Sequence, residues 1–250
     1  MPETTTRRRL RAGAAIAVVA TTAALLAGCG EAAAPPSVVL PPPRSVAAIQ
    51  KQYTDVVARV SPTVVQIQTP QGLGSGIVHD ADGNVVTNAH VTSGATSFVV
   101  TLANGERHAA KLVGADPGND LAVIHITGVT PDPASFGDSS KVRAGDITFA
   151  IGNPLGLRSS VTQGIVSSVS RSVSEGNGVT VSQAIQTSAE INPGNSGGAL
   201  VDLSGRVIGI PTLSGLDPEF GDAQAPGIGF AIPSSTVQRV ADQLISGGRT

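Results

Sequence analysis

The sequence predicts an all-β fold of two small antiparallel, six-stranded-type β-barrels, with a short helix towards each end of the chain. The 250 residues include 30 Gly and 17 Pro, a composition typical of many short strands joined by turns. Hydrophobic residues make up 40% of the chain and aromatic residues only 2%, so the core must consist of Val, Ile, Leu and Ala. Apolar residues follow helical spacing in one segment near each end, and this arrangement favours two barrels.

The first predicted helix begins after Ser45, a candidate N-cap, and ends at Ser61-Pro62, because the residue before a proline disfavours the helical conformation. Its apolar positions recur at helical spacing: Val46, Ile49, Tyr53, Val56, Val57 and Val60. The first barrel is expected over about 60–130, with strands at 63–68 and 75–80.

A polar turn after the second of these strands resembles the start of a calcium-binding loop. Asp80, Asp82 and Asn84 have the EF-hand spacing, but Val85 stands where that loop needs Gly, and no Glu closes it. We therefore predict a hairpin turn about Asp82-Gly83, with no metal and no cofactor.

The second barrel is expected over about 140–233, after a link at 131–138. Its strands are predicted at 145–151, 161–169, 179–186, 206–211 and 227–232. Polar, glycine-bearing stretches at 171–178 and 215–226 are predicted to be loops. A closing helix over about 234–246 ends before Gly247-Gly248.

Residues 1–28 are predicted to be a lipoprotein signal peptide. Arg7-Arg8-Arg9-Leu10-Arg11 supplies a positive segment, and the apolar stretch 14–27 is short for a membrane span. Leu26-Ala27-Gly28-Cys29 resembles a bacterial lipobox, and Cys29 is the only cysteine of the chain. Lipidation of Cys29 would hold an exported domain at the bacterial cell membrane. An ordinary secretory signal is the alternative, and the arginines weakly resemble a twin-arginine signal.

The rest of the chain divides into a tether and a folded domain. Residues 29–44 are rich in Pro and Ala, which favours an extended tether without a core of its own, and the folded domain is expected over 45–250. The net charge of -2 leaves no basic surplus that would favour nucleic acid as a partner.

A single serine lies between glycines in Gly194-Asn195-Ser196-Gly197-Gly198. The glycines allow a sharp turn and the close approach of a substrate, and such a turn can aim the N–H groups of Gly194 and Ser196 at one oxyanion. A serine hydroxyl becomes a strong nucleophile only with a base, usually His, which a carboxylate orients.

The order of the three groups along the chain limits the choice of fold. The same segment fits the G-x-S-x-G elbow of α/β-hydrolases, but that fold needs a His after the serine, and no His follows His125. The subtilisin order needs an Asp well before the His, and Asp80 and Asp82 look like turn residues. The remaining order, His-Asp-Ser, is met by His90, Asp120 and Ser196, while His79, His108 and His125 are interpreted as structural or exposed.

Three motifs resemble the trypsin-like proteases of the HtrA/Deg type. They are Thr87-Asn88-Ala89-His90, Gly118-Asn119-Asp120-Leu121-Ala122 and Asn192-Pro193-Gly194-Asn195-Ser196-Gly197-Gly198, and Gly74-Ser75-Gly76 and Gly227-Ile228-Gly229-Phe230-Ala231 are further matches. The resemblance covers about 45–246. It implies a trypsin-like arrangement of the barrels and a lipoprotein form in which no PDZ module follows residue 250.

The resemblance also implies the activity and the site. We expect an extracytoplasmic serine endopeptidase that acts on unfolded or damaged polypeptides, with His90, Asp120 and Ser196 catalytic and an extended substrate paired to Thr212-Leu213-Ser214. Ile191 and Leu213 suggest an aliphatic pocket for the substrate residue before the cut bond (P1). Glu190 would favour basic P1 residues only if it faced that pocket.

Some alternatives stay open. The chain could be a catalytically silent binding or chaperone-like module on the same fold, or an esterase that uses the same triad. A homotrimer joined near the first helix is possible by resemblance, with Tyr53 as its one aromatic contact.

Overall fold

The computed structural model describes residues 45–129, 131–153, 160–174, 180–192, 194–217 and 223–247. The predictions for the signal peptide, Cys29 and the tether lie outside these residues.

Six antiparallel strands form the first barrel: β1 (Val64–Thr69), β2 (Gly72–Val78), β3 (Asn84–Thr87), β4 (Phe98–Thr101), β5 (Arg107–Asp116) and β6 (Leu121–Ile126). They close in the order β1-β2-β3-β6-β5-β4. The barrel interior is mostly aliphatic: Val65, Ile67, Val78, Val85, Phe98, Val100, Leu102, Ala110, Ile124 and Ile126. β-Branched residues pack well on a pleated surface, which explains how so few aromatic residues suffice.

The second barrel contains β7 (Ile147–Gly152), β8 (Ser160–Ser174), β9 (Thr180–Thr187), β10 (Ala199–Asp202), β11 (Val207–Asp217) and β12 (Ala223–Pro233). These strands close in the order β7-β8-β9-β12-β11-β10, again with antiparallel neighbours. The interior consists of small and branched residues: Ala150, Val166, Ile185, Ala189, Ile191, Leu200, Ile208 and Ala231.

A third apolar cluster joins the two barrels. Its members from the first barrel include Val64, Ile77, Val86, Leu121 and Val123, and those from the second include Ile151, Ala199, Val201, Ile210 and Ile232. Burial of this shared surface is the main apolar force that holds the barrels together.

The N-terminal helix α1 (Val46–Val60) packs against this shared cluster. The Ser45 hydroxyl accepts a hydrogen bond from the N–H of Ala48 at 3.3 Å and so caps the helix. Val56 and Val60 are buried in the cluster, and the Tyr53 ring meets Phe149 of β7 edge to face at 4.9 Å. The helix therefore connects the start of the first barrel to the second.

The C-terminal helix α3 (Ser234–Gly247) buries Val237, Val240 and Ala241 in the same cluster. At its first residue, the buried Ser234 hydroxyl donates a hydrogen bond to the carbonyl of Gly137 at 2.7 Å. No helix within the described ranges is long and apolar enough to cross a membrane.

The predicted fold class is confirmed, but two predicted loops are in part strand. β8 continues to Ser174, because Arg171 pairs with Ala184 and Val173 with Val181. β11 likewise continues to Asp217 and β12 begins at Ala223. These extensions are short and contain Ser, Gly, Gln and Pro, so they lack the sustained apolar alternation that marks a strand in sequence.

We predict that Gly164→Ala destabilises the second barrel. A Cβ on Gly164 in β8 would lie 2.6 Å from the carbonyl carbon of Ser188 and would overlap the N atom of Ala189, both of which are backbone atoms. Overpacking of this kind costs about 1–3 kcal/mol. Urea denaturation measures the loss. The control Gly72→Ala, where a Cβ meets nothing within 4 Å, should change the free energy of unfolding by less than about 0.5 kcal/mol. Equal midpoints for the two variants would contradict this packing.

Candidate active site

His90 and Asp120 lie together at one end of the first barrel. His90 is on the one-turn helix α2 (Ala89–Thr92), which directly follows β3, and Asp120 directly precedes β6. β3 and β6 are neighbours, with Thr87 paired to Ala122, so His90 and Asp120 lie at the same end of the barrel.

The backbone of Asp120 adopts the left-handed conformation, with φ 50° and ψ 43°. Asp tolerates this conformation better than most non-glycine residues. The side-chain amide of Asn88 donates to the carbonyl of Asp120 at 3.1 Å, and the short 3₁₀ turn Pro117–Asn119 precedes it. These contacts orient the Asp120 carboxylate towards His90.

The Asp120 carboxylate is 2% exposed and accepts hydrogen bonds from both barrels. One oxygen accepts from the backbone N–H of His90 at 3.0 Å, and the other lies 3.0 Å from His90 Nδ1. The hydroxyl of Thr212, in β11, donates to this second oxygen at 2.5 Å. When Nδ1–H donates to the carboxylate, Nε2 is the basic nitrogen of the neutral ring, and the side chain of His90 is 48% exposed.

The serine loop is attached to the first barrel beside this pair. The carbonyl of Ser196 accepts from the N–H of Ser75 in β2 at 3.2 Å, and the N–H of Gly197 donates to the carbonyl of Pro211, next to Thr212, at 3.0 Å. Gly197 has φ 80°, and a Cβ there would lie 2.6 Å from Thr87 Oγ1, so the loop needs glycine at this position. These hydrogen bonds place the backbone of Ser196 beside β2 and next to Pro211, whose neighbour Thr212 binds Asp120.

The side chain of Asn195 stabilises the loop through hydrogen bonds to the loop backbone. It is 2% exposed, its amide nitrogen donates to the carbonyl of Glu190 at 3.0 Å, and its amide oxygen accepts from the N–H of Asn192 at 3.0 Å. In the sequence, Asn195 is marked only by its place in the Gly194–Gly198 motif. Its bracing role depends on a local turn that no spacing rule shows.

One of the two predicted oxyanion donors is engaged within the loop. The N–H of Gly194 donates to the carbonyl of Asn192 at 2.6 Å, and the N–H of Asn195 donates to the same carbonyl at 3.0 Å. For Gly194 and Ser196 to bind an oxyanion jointly, the Asn192 carbonyl must turn away from the Gly194 N–H.

The predicted peptide-binding strand, Thr212-Leu213-Ser214, is a part of β11 that does not pair with β10. β10 pairs with β11 at Gly209 and Val207, whereas Leu213 and Ser214 pair with β12 on the other side. The side chains of Leu213 and Ser214 lie outside the described part. Thr212 has a further role that the sequence did not indicate, because its hydroxyl binds Asp120.

The remaining predicted specificity residues differ in exposure. Ile191 is 4% exposed and belongs to the core of the second barrel, where it lies against Gly229. The side chain of Glu190 is exposed. A further cavity of about 390 Å³ lies beside His90, with mostly apolar walls that include Ala95, Leu112 and Pro117.

Comparison with known proteins agrees with this arrangement. Residues 74–210 match the trypsin-like peptidase domain family. The chain is 43% identical over 215 residues to the serine protease PepD of Mycobacterium tuberculosis, with 78% of this chain and 46% of PepD covered. It is 47% identical over 183 residues to a probable periplasmic serine endoprotease, DegP-like, of Brucella suis, with 72% of this chain and 34% of the relative covered.

A solved structure of the HtrA-type protease AlgW with a tripeptide superposes with a TM-score of 0.71 at 41% identity, covering 78% of this chain and 64% of AlgW. The chain spans about half the length of PepD and a third of the Brucella relative. The first of the two closed six-stranded barrels carries a His–Asp pair, and the second carries a glycine-flanked serine. Together with these matches, this arrangement shows that the chain belongs to the HtrA/Deg-type trypsin-like serine proteases.

Proposed function

We propose that the chain is an extracytoplasmic serine endopeptidase that cleaves unfolded or damaged polypeptides through an acyl-enzyme on Ser196. The observation that carries the proposal is the buried Asp120 carboxylate, which binds Nδ1 of His90 from one barrel and the Thr212 hydroxyl from the other, beside the serine loop. A buried carboxylate in such a network holds one imidazole tautomer and stabilises its cation.

In the proposed reaction, the Ser196 hydroxyl attacks the substrate carbonyl while His90 Nε2 takes its proton. The tetrahedral oxyanion is bound by the N–H groups of Ser196 and Gly194, once the Asn192 carbonyl has released the latter. His90 then protonates the leaving amine, and water attacks the acyl-enzyme with His90 again as the base. Asp120 remains a carboxylate throughout.

An extended polypeptide suits this cleft. We assign the substrate strand to Thr212-Leu213-Ser214, which lies beyond the residues of β11 that pair with β10, and the cavity beside His90 fits an apolar side chain close to the cut bond. The tripeptide bound to AlgW and the periplasmic name of the Brucella relative support a peptide substrate and an extracytoplasmic location.

The proposal for the whole chain has four further parts. Residues 1–28 act as a lipoprotein signal, Cys29 carries the lipid anchor, and 29–44 tether the domain 45–250 to the membrane. A homotrimer is proposed by family resemblance. The Tyr53 ring contacts Phe149 of its own chain, so we assign any subunit contact of α1 instead to its exposed Val46 and Ile49.

The proposed nucleophile is tested by Ser196→Ala. We expect the variant to stay folded, to lose labelling by a fluorophosphonate, and to cleave casein at least about 10⁴-fold more slowly than the wild type. Mass spectrometry locates the label, and Ser97→Ala, a change at an exposed serine, serves as the control. Labelling that persists in Ser196→Ala would exclude Ser196 as the nucleophile. Ester hydrolysis without peptide cleavage by the wild type would favour the esterase alternative.

The Thr212 hydroxyl is tested by Thr212→Val, which keeps the side-chain shape. A hydrogen bond to a charged group contributes about 1.5–3 kcal/mol, so we expect kcat/KM for a peptide substrate to fall about tenfold or more. Thr148→Val removes one hydroxyl from a buried Thr148–Thr187 pair inside the second barrel and is the matched control. If both variants retain equal activity, the Thr212 bond has no part in catalysis.

We predict an aliphatic preference at P1, because Ile191 and Leu213 are the proposed pocket residues and the Glu190 side chain is exposed. Cleavage-site mapping on an unfolded protein should show Val, Leu, Ile or Ala before the cut bond, and Glu190→Gln should leave the profile unchanged. A wild-type profile dominated by Arg and Lys, lost in Glu190→Gln, would show instead that this carboxylate enters the pocket.

A further inference from the structure

Ser75, in β2, is a fully buried polar residue that the proposed mechanism does not use. Its hydroxyl donates a hydrogen bond to the carbonyl of Gly194 at 2.7 Å and accepts one from the N–H of Asn153 at 2.8 Å. Its own N–H donates to the carbonyl of Ser196 at 3.2 Å. One residue of the first barrel therefore binds the serine loop at two carbonyls and the end of β7 at one N–H.

The backbone of Ser75 is held just as firmly from the His90 side. Its carbonyl accepts from Thr87 Oγ1 at 2.6 Å, three residues before His90. A Cβ on Gly74 would lie 2.6 Å from Cγ1 of Val91, the residue after His90, so β2 lies directly against the segment that carries the base. Ser75 thus connects the backbone around His90 to the backbone around Ser196 within a single residue.

We propose that Ser75 is a positioning residue, whose hydroxyl sets the orientation of the Gly194–Ser196 loop relative to His90. Only a side chain that donates and accepts at the same time satisfies both the Gly194 carbonyl and the Asn153 N–H. Alanine would leave these two buried groups without this hydrogen-bond partner, which lowers the stability of the folded loop. This inference rests on the proposed peptidase activity for its kinetic test, but not for its structural test.

The hydrogen bonds of Ser75 also determine which part of the loop can move. With the carbonyls of Gly194 and Ser196 both anchored, the Asn192 carbonyl can release the Gly194 N–H by rotation on the N-terminal side of Gly194 alone. Without the hydroxyl, the Gly194–Asn195 peptide can rotate as well, and this peptide lies between the two N–H groups that are proposed to bind the oxyanion. The expected loss is therefore in kcat, because the oxyanion forms only in the transition state.

The kinetic experiment compares Ser75→Ala with Ser234→Ala, which removes another buried serine hydroxyl that donates to a glycine carbonyl, at the start of α3. A displacement of about 1 Å at a reacting group costs about 10²-fold in rate. We expect kcat for a peptide substrate to fall about 10²-fold in Ser75→Ala with KM changed less than about threefold. The control should keep kcat within about twofold. Equal kcat values for the two variants, with both folded, would overturn the proposal.

A structural readout decides the case independently of activity. Amide hydrogen exchange followed by NMR should show faster exchange at Asn153 and shifted signals for Gly194–Ser196 in Ser75→Ala, with no such change in Ser234→Ala. Unchanged signals would overturn the inference even if the wild type proved active. If the wild type neither cleaves peptide nor reacts with a fluorophosphonate, the proposed function fails, and these amide signals alone decide the role of Ser75. Ser75→Cys avoids a cavity should the alanine variant unfold, and its weak thiol donor should give an intermediate kcat and intermediate exchange.

Discussion

The buried carboxylate of Asp120 is the constraint on which the rest of the site depends. An ionised carboxylate removed from water must be surrounded by donors, and these come from His90 in the first barrel and from Thr212 in the second. Neither barrel could satisfy this group alone in the same geometry. The site therefore requires the two barrels to meet in one relative position, and the shared apolar cluster between them maintains that position.

Close backbone packing also fixes the position of the serine loop relative to the second barrel. A Cβ on Gly152 would lie 2.8 Å from Asn195 Cβ, and one on Gly198 would lie 3.0 Å from the Asn195 carbonyl oxygen. Several glycines around the loop are therefore needed for space, as well as for turn conformation. With Ser75 bonded to both ends of the same segment, the loop has little freedom C-terminal to Gly194. The loop can still move at the Asn192 carbonyl, which accepts a hydrogen bond from one of the two proposed oxyanion donors, the Gly194 N–H.

Much of the architecture follows from local chemistry that a sequence displays. Ser45 caps α1 and Ser61-Pro62 ends it, as the positions of these residues indicate. Short aliphatic runs between glycine-rich turns correspond to the strands of both barrels. The extension of β8 to Ser174 could not be predicted, because its pairing with β9 is irregular, with register shifts on both sides of Arg171. Such pairing depends on backbone hydrogen bonds to a distant segment and not on side-chain alternation.

By itself, the sequence determined the fold class, the family resemblance, and the three residues on which catalysis is proposed to depend, because each of these rests on residue type and order. The tertiary structure alone decided how those residues are held. The bond from Thr212 to Asp120 spans 92 residues and the bond from Ser75 to Gly194 spans 119, so no local pattern records either of them. The same is true of the Gly194 N–H, whose partner depends on the rotation of a neighbouring peptide group. Residue identity specifies which groups are present, and only the packing of the two barrels specifies which of them meet.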